Sequence, residues 1–124
     1  MKHLNATDRH LLVHQLESMK EDVLEELRTA AALAFEGSGA GMREVHGRTD
    51  DAEAARIEEL REAEIEIDRR RLHEIERALQ RVAEGSYGIC ADCGEEIPYE
   101  RLLVRPTAMR CAACQVVAES RPRR

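Results

Sequence analysis

The chain has 124 residues, of which 35% are charged and only 2% aromatic, and its formal net charge is −6. So few large aromatics exclude a thick globular core, and a charged, Leu/Ala/Glu/Arg-rich chain points to long helices. The acidic balance argues against non-specific binding to nucleic-acid phosphates. No apolar run is long enough to span a membrane, and the start, Met1 to Asp8, lacks the apolar stretch of a signal peptide. Cytoplasm is the expected location, and there paired CxxC motifs read as metal or redox sites rather than structural disulfides.

Thr7 or Asp8 is the predicted cap of a first helix. Apolar residues then recur at Leu12, Leu16, Met19, Val23, Leu27, Ala30 and Ala34, in steps of four and three. That is helical periodicity, and the narrow stripe between charged flanks resembles a coiled-coil seam. Gly37, Gly39 and Gly41 break the pattern and predict a flexible turn. Thr49 or Asp50 is the predicted cap of a second helix from about Asp51 to Glu84, with Asp51 and Glu53 suiting its positive end.

The predicted seam of that helix is Ile57, Leu60, Ile67, Leu72, Ile75, Leu79 and Val82, interrupted by Glu64 and Arg71, with Ile65 off the strict line. The two helices would be about 42 and about 50 Å long. Each alone would expose its stripe, so an antiparallel pairing is expected. Residues 1–85 are thus read as a helical hairpin with its tip near 37–52, and 86–118 as a compact module. Residues 119–124 are read as a flexible tail. The fold class is mainly α, and an intramolecular hairpin makes a monomer the expectation.

All four cysteines fall in two pairs, Cys90/Cys93 and Cys111/Cys114, with seventeen residues between them. A two-residue spacer lets one tight knuckle present two sulfurs to one ion, and two knuckles complete a tetrahedron of thiolates. Gly94 and Gly88 suit the tight turns of the first knuckle. Four thiolates leave no open position, so one structural zinc ion is predicted rather than a catalytic one. Iron in a rubredoxin-like site and a pair of redox disulfides share the spacing. A thioredoxin-like site would need a βαβ context, which is not visible. The module has few large apolar residues, so metal binding would supply much of its folding energy.

The residues Tyr87-Gly88-Ile89-Cys90-Ala91-Asp92-Cys93-Gly94, then Ile97, Arg101, Arg105-Pro106-Thr107-Ala108 and Cys111-Ala112-Ala113-Cys114 resemble the DksA/TraR C4-type zinc finger. Ala91 stands where that family usually has Asp, Glu or Ser. Read upstream without gaps, Asp50 and Ala52 fall on the second Asp and the Ala of the family's Asp-x-x-Asp-x-Ala tip motif, while Gly47 replaces the first Asp. The match runs from Gly47 to Val117, and the first helix matches only as the other arm of a hairpin.

The resemblance implies a transcription regulator that inserts its hairpin into the secondary channel of bacterial RNA polymerase. There the tip Asp alters open-complex stability, so promoters with unstable open complexes are repressed and some biosynthetic promoters activated. It also implies a link to the stringent response through ppGpp, held by basic residues of the regulator. Arg105 is retained at one such position, but Glu74 and Gln115 stand where cations would be. Losing two cations near a polyanion predicts weak or absent ppGpp potentiation.

The competing classes are a DNA- or RNA-binding zinc ribbon and a redox-sensitive zinc regulator. The first needs a basic, aromatic-bearing face. From Ser86 to Arg124 six basic residues meet five acidic ones, which is poor support, and direct sequence-specific DNA binding is not expected. No nucleophile–base set or phosphate loop is present in the sequence, so no catalytic residue is assigned and an enzyme is not expected. The bland readings are that Asp50 caps a helix, that Ala52 is helix filler, and that His10, His14, His46 and His73 are solvated. Arg69-Arg70-Arg71 would be paired with nearby acids.

Overall fold

The structure, a computed structural model, describes residues 3–35 and 48–120, with 34, 35 and 48–50 as backbone only. Four helices follow in order: α1 (Ala6–Phe35), α2 (Arg48–Glu84), α3 (Tyr99–Val104) and α4 (Ala112–Ser120). The only β pairing among the described residues is a single antiparallel bridge between Ile89 and Glu96. None of these helices is long and apolar enough to cross a membrane. The molecule is mainly α: two long helices paired antiparallel, followed by a small cysteine-bearing module that ends in a helix. The predicted Gly-rich turn at 37–41 lies outside the described residues, and so do 121–124 of the predicted tail, whereas Glu119 and Ser120 are not tail but the last residues of α4.

Both predicted caps are corrected. Asn5, not Thr7 or Asp8, caps α1: its Oδ1 accepts the Asp8 N–H at 2.7 Å. The Asp8 carboxylate reaches back to the Asn5 N–H at 3.4 Å, so Asp8 is the acidic partner of a reciprocal box rather than the cap. α2 begins at Arg48, so Thr49 and Asp50 lie inside its first turn. Its far end is as expected. Gly85, at φ 80°, supplies the left-handed residue that follows the helix. The N–H groups of Gly85 and Ser86 then satisfy the carbonyls of Val82 at 3.1 Å and Arg81 at 2.9 Å.

The chain divides into two compact units. The first joins residues 1–20 to 74–124. Leu12 and Leu16 of α1 and Ile75 and Ala78 of α2 are buried there, together with Leu4, Tyr87, Ile97, Leu102 and Ala108. Each fully buried Leu or Ile contributes about 1.5–3 kcal/mol.

The second unit is residues 21–73. Its core is thinner. Val23 is its one fully buried side chain among those described, flanked by half-buried Leu24, Leu27, Ala30, Ile65, Asp68 and Leu72.

The seam of α1 follows the predicted line through Val23, Leu27 and Ala30. That of α2 does so only from Leu72 through Ile75 and Leu79 to Val82. Ile57, Leu60 and Ile67 are exposed, Leu60 at 65%. The inner line runs through Arg61, Ile65, Asp68, Leu72, Ile75, Leu79 and Val82, in unbroken steps of four and three. The supposed off-line Ile65 is an inner residue. A polar pair, Arg61 and Asp68, holds seam positions that an apolar pattern cannot mark.

Candidate metal centre and its family

The metal-binding module starts where α2 stops. The Arg81 guanidinium, in the last turn of α2, donates to the carbonyls of Ser86, at 3.1 Å, and Ile89. This ties the helix end to the first knuckle. The knuckle closes through Cys90 N–H to Glu95 O at 2.8 Å and Gly94 N–H to Cys90 O at 3.0 Å. Gly94 sits at φ 76°, where a side chain would be strained.

The second knuckle is held to the first at two points. Ala91 N–H donates to Met109 O at 2.8 Å, and Arg110 Nε donates to Asp92 Oδ2 at 2.7 Å. Arg101 Nε, from α3, in turn donates to the Arg110 carbonyl at 3.2 Å. The Gln115 N–H bonds the Cys111 carbonyl at 2.9 Å, which opens α4 and places Cys114 in its first turn. Tyr87 lies beneath, with its hydroxyl donating to Pro106 O at 2.7 Å.

The N-terminal segment completes the module. His3 Nε2 donates to the Ile97 carbonyl at 2.7 Å. Its Nδ1 lies 2.9 Å from Glu96 Oε2, within ion-pair reach but without hydrogen-bond alignment. A Cβ on Gly88, which sits at φ 86°, would lie 3.1 Å from Leu4 Cδ1 and 3.3 Å from His3 Cε1. Sequence reasoning missed His3, Arg81 and the Asp92–Arg110 clasp. The one available signal was that each clasp residue directly precedes a cysteine.

Four sulfurs converge on one point. The Sγ atoms of Cys90, Cys93, Cys111 and Cys114 lie within 4.8 Å of one another, and none is in a disulfide. Cys93 and Cys111 are 3.8 Å apart. A tetrahedral zinc with bonds of about 2.3 Å requires sulfur separations of about 3.8 Å, so the set fits the ion.

The thiols are not equivalent. Burial pushes the Cys90 thiol up, but backbone N–H groups of Cys93, Cys111 and Asp92 outweigh it and bring it down to about 6. Cys114, sharing hydrogen bonds with Cys111, Cys90 and Cys93, is pushed up to about 12. All four must be thiolates to ligate zinc, so metal binding displaces their protons.

The family model for the prokaryotic dksA/traR C4-type zinc finger matches residues 85–120. The RNA polymerase-binding transcription factor DksA of Caulobacter vibrioides is 35% identical over 123 residues, covering 97% of this chain and 82% of its own. The chain belongs to the DksA/TraR family. Its members are transcription regulators, not enzymes, and the module carries one structural zinc.

The General stress protein 16O of Bacillus subtilis is 48% identical over 54 residues, a match that spans 44% of this chain and 33% of that relative. YteA of the same organism is 33% identical, matched over 90% of this chain and 50% of its own length. The solved transcription factor DksA2 from Pseudomonas aeruginosa superposes with a TM-score of 0.79 over 93% of this chain and 85% of its own, at 23% identity, which shows a shared DksA fold.

The remaining predicted residues are spread over the chain. Ala52 is exposed on α2, the backbone of Asp50 is in the first turn of that helix, and Gly47 and His46 lie outside the described residues. Arg105 is the C-cap of α3, exposed, with its guanidinium 4.0 Å from the Glu74 carboxylate. His10, His14 and His73 are exposed. Two residues of the arginine run are paired as the bland reading held: Arg70 with Glu66 at 3.6 Å, and Arg71 with Glu26 at 3.7 Å and Asp68 at 3.5 Å.

Proposed function

We propose that this cytoplasmic protein binds bacterial RNA polymerase through the secondary channel as a monomer and modulates open-complex stability at initiation. The observation that carries the reading is the near full-length match to a relative whose name states polymerase binding. Asp50 and Ala52 are the modulating tip residues, Asp50 by bringing a carboxylate close to the polymerase active-site region, Ala52 by leaving room for that approach. Cys90, Cys93, Cys111 and Cys114 hold the zinc that fixes the module against the helix ends. The module takes no part in sequence-specific DNA contact.

The test is the lifetime of open complexes at a ribosomal RNA promoter with purified polymerase. Wild type shortens it; Asp50→Asn binds polymerase equally but does not. An unaffected lifetime at saturating wild-type protein overturns the reading.

Arg105 is the residue proposed to meet ppGpp, and its nearest carboxylate argues for a weak response. Glu74 lies within ion-pair reach and offers the guanidinium an intramolecular anion. Potentiation by ppGpp should therefore be small in wild type and should rise in Glu74→Lys. A strong response in wild type would refute this.

A further inference from the structure

The sequence of α1 carries a ligand set that the zinc module does not use. His10, His14 and Glu17 stand at positions i, i+4 and i+7 of one helix. All three are exposed, so they share a solvent-facing stripe opposite the buried Leu12 and Leu16. None of the three makes a side-chain hydrogen bond or ion pair among the described residues.

Side chains one turn apart are neighbours, with Cβ atoms about 5–6 Å apart. Two imidazoles at that spacing reach one ion at nitrogen bond lengths of about 2.0–2.1 Å by side-chain rotation alone, without backbone movement. Helical side chains lean toward the N-terminus. Glu17 therefore leans back over the turn that carries His14, where its carboxylate can become a third ligand. The chain's formal net charge of −6 adds attraction for a cation.

We propose that His10 and His14, assisted by Glu17, form a second, exchangeable site for a borderline divalent cation of the zinc, nickel or copper type. It is open where the four-cysteine site is closed: three protein ligands leave a position for water or for a donor from a partner. Imidazole nitrogen and carboxylate oxygen favour these ions over calcium or magnesium, which take oxygen ligands alone. The ligand set is mixed and solvent-exposed, so it exchanges metal while the tetrathiolate retains its own.

The test uses the full-length protein already loaded with one zinc, titrated with zinc chloride and followed by calorimetry, with NMR to locate the change. Wild type takes up a second equivalent, with shifts confined to α1 around residues 10–17. The double variant His10→Ala/His14→Ala loses that uptake at least tenfold, keeps the first zinc, and keeps its helical circular dichroism. Glu17→Gln weakens it several-fold. The proposal is overturned if the zinc-loaded wild type takes up no second equivalent at submillimolar zinc, or if the double variant takes it up as well as wild type.

Discussion

Tyr87 buries its ring in the metal-binding module and donates its hydroxyl to the Pro106 carbonyl at 2.7 Å. Burial raises its phenol well above the ordinary value, so it remains a donor into alkaline conditions. Tyr87→Phe keeps the packing but strands a buried carbonyl, and should cost about 1–3 kcal/mol in urea unfolding of the zinc-loaded protein. Gly88 is constrained twice, by its positive φ and by Leu4 and His3 above it. Gly88→Ala is expected to cost at least as much, because strain and crowding act together. A Gly88→Ala protein as stable as wild type would mean that His3 and Leu4 do not rest there in solution.

At the scale of elements, α2 shows what a sequence pattern can and cannot carry. The cysteine pairs, the Gly85 stop and the seam of α1 were legible, because each rests on local spacing or on a residue type with one conformational use. Only the first half of the α2 seam was misread, since Ile57, Leu60 and Ile67 compete with Ile65 for the apolar role on neighbouring faces, while Leu72, Ile75, Leu79 and Val82 were legible. Polar groups also meet along this line: Arg71 of α2 pairs with Glu26 of α1 at 3.7 Å and with Asp68 of its own helix at 3.5 Å. Cross-helix pairing of this kind is invisible to a periodicity.

Glu26 has its carboxyl raised above 4.5, first by the hydrogen bond and charge of Asp68, with Arg71 opposing. A raised value in the fold means that the neutral form is favoured there. Its stabilisation is full below pH 4.5 and is lost as pH rises through the folded value. Glu26→Gln keeps the neutral form at every pH, so it should raise the thermal midpoint slightly at pH 7.5. An unchanged or lower midpoint would show that Arg71 outweighs Asp68.

Over the whole molecule, stability is unevenly distributed. Among the described residues, most of the buried side chains belong to the unit with the cysteines, while the unit of residues 21–73 buries little beyond Val23. Amide exchange should accordingly be fastest in that second unit and slowest around Leu12, Leu16 and Ile75. Removing zinc with a chelator should melt residues 86–120 while much of the far-ultraviolet helical signal persists, because α1 and α2 have 30 and 37 residues against 6 and 9 for α3 and α4. Acidification should release the metal too, as protons compete for the four sulfurs.

The His3 contact with Ile97 joins residues 94 positions apart. On the ribosome, the segment around His3 therefore waits for a partner made 94 residues later. Until Cys111 and Cys114 have emerged and zinc has closed the second knuckle, Leu4, Leu12 and Leu16 have only part of their eventual cover. Synthesis thus leaves an apolar helix face exposed for as long as it takes to translate the stretch from Leu16 to Cys114.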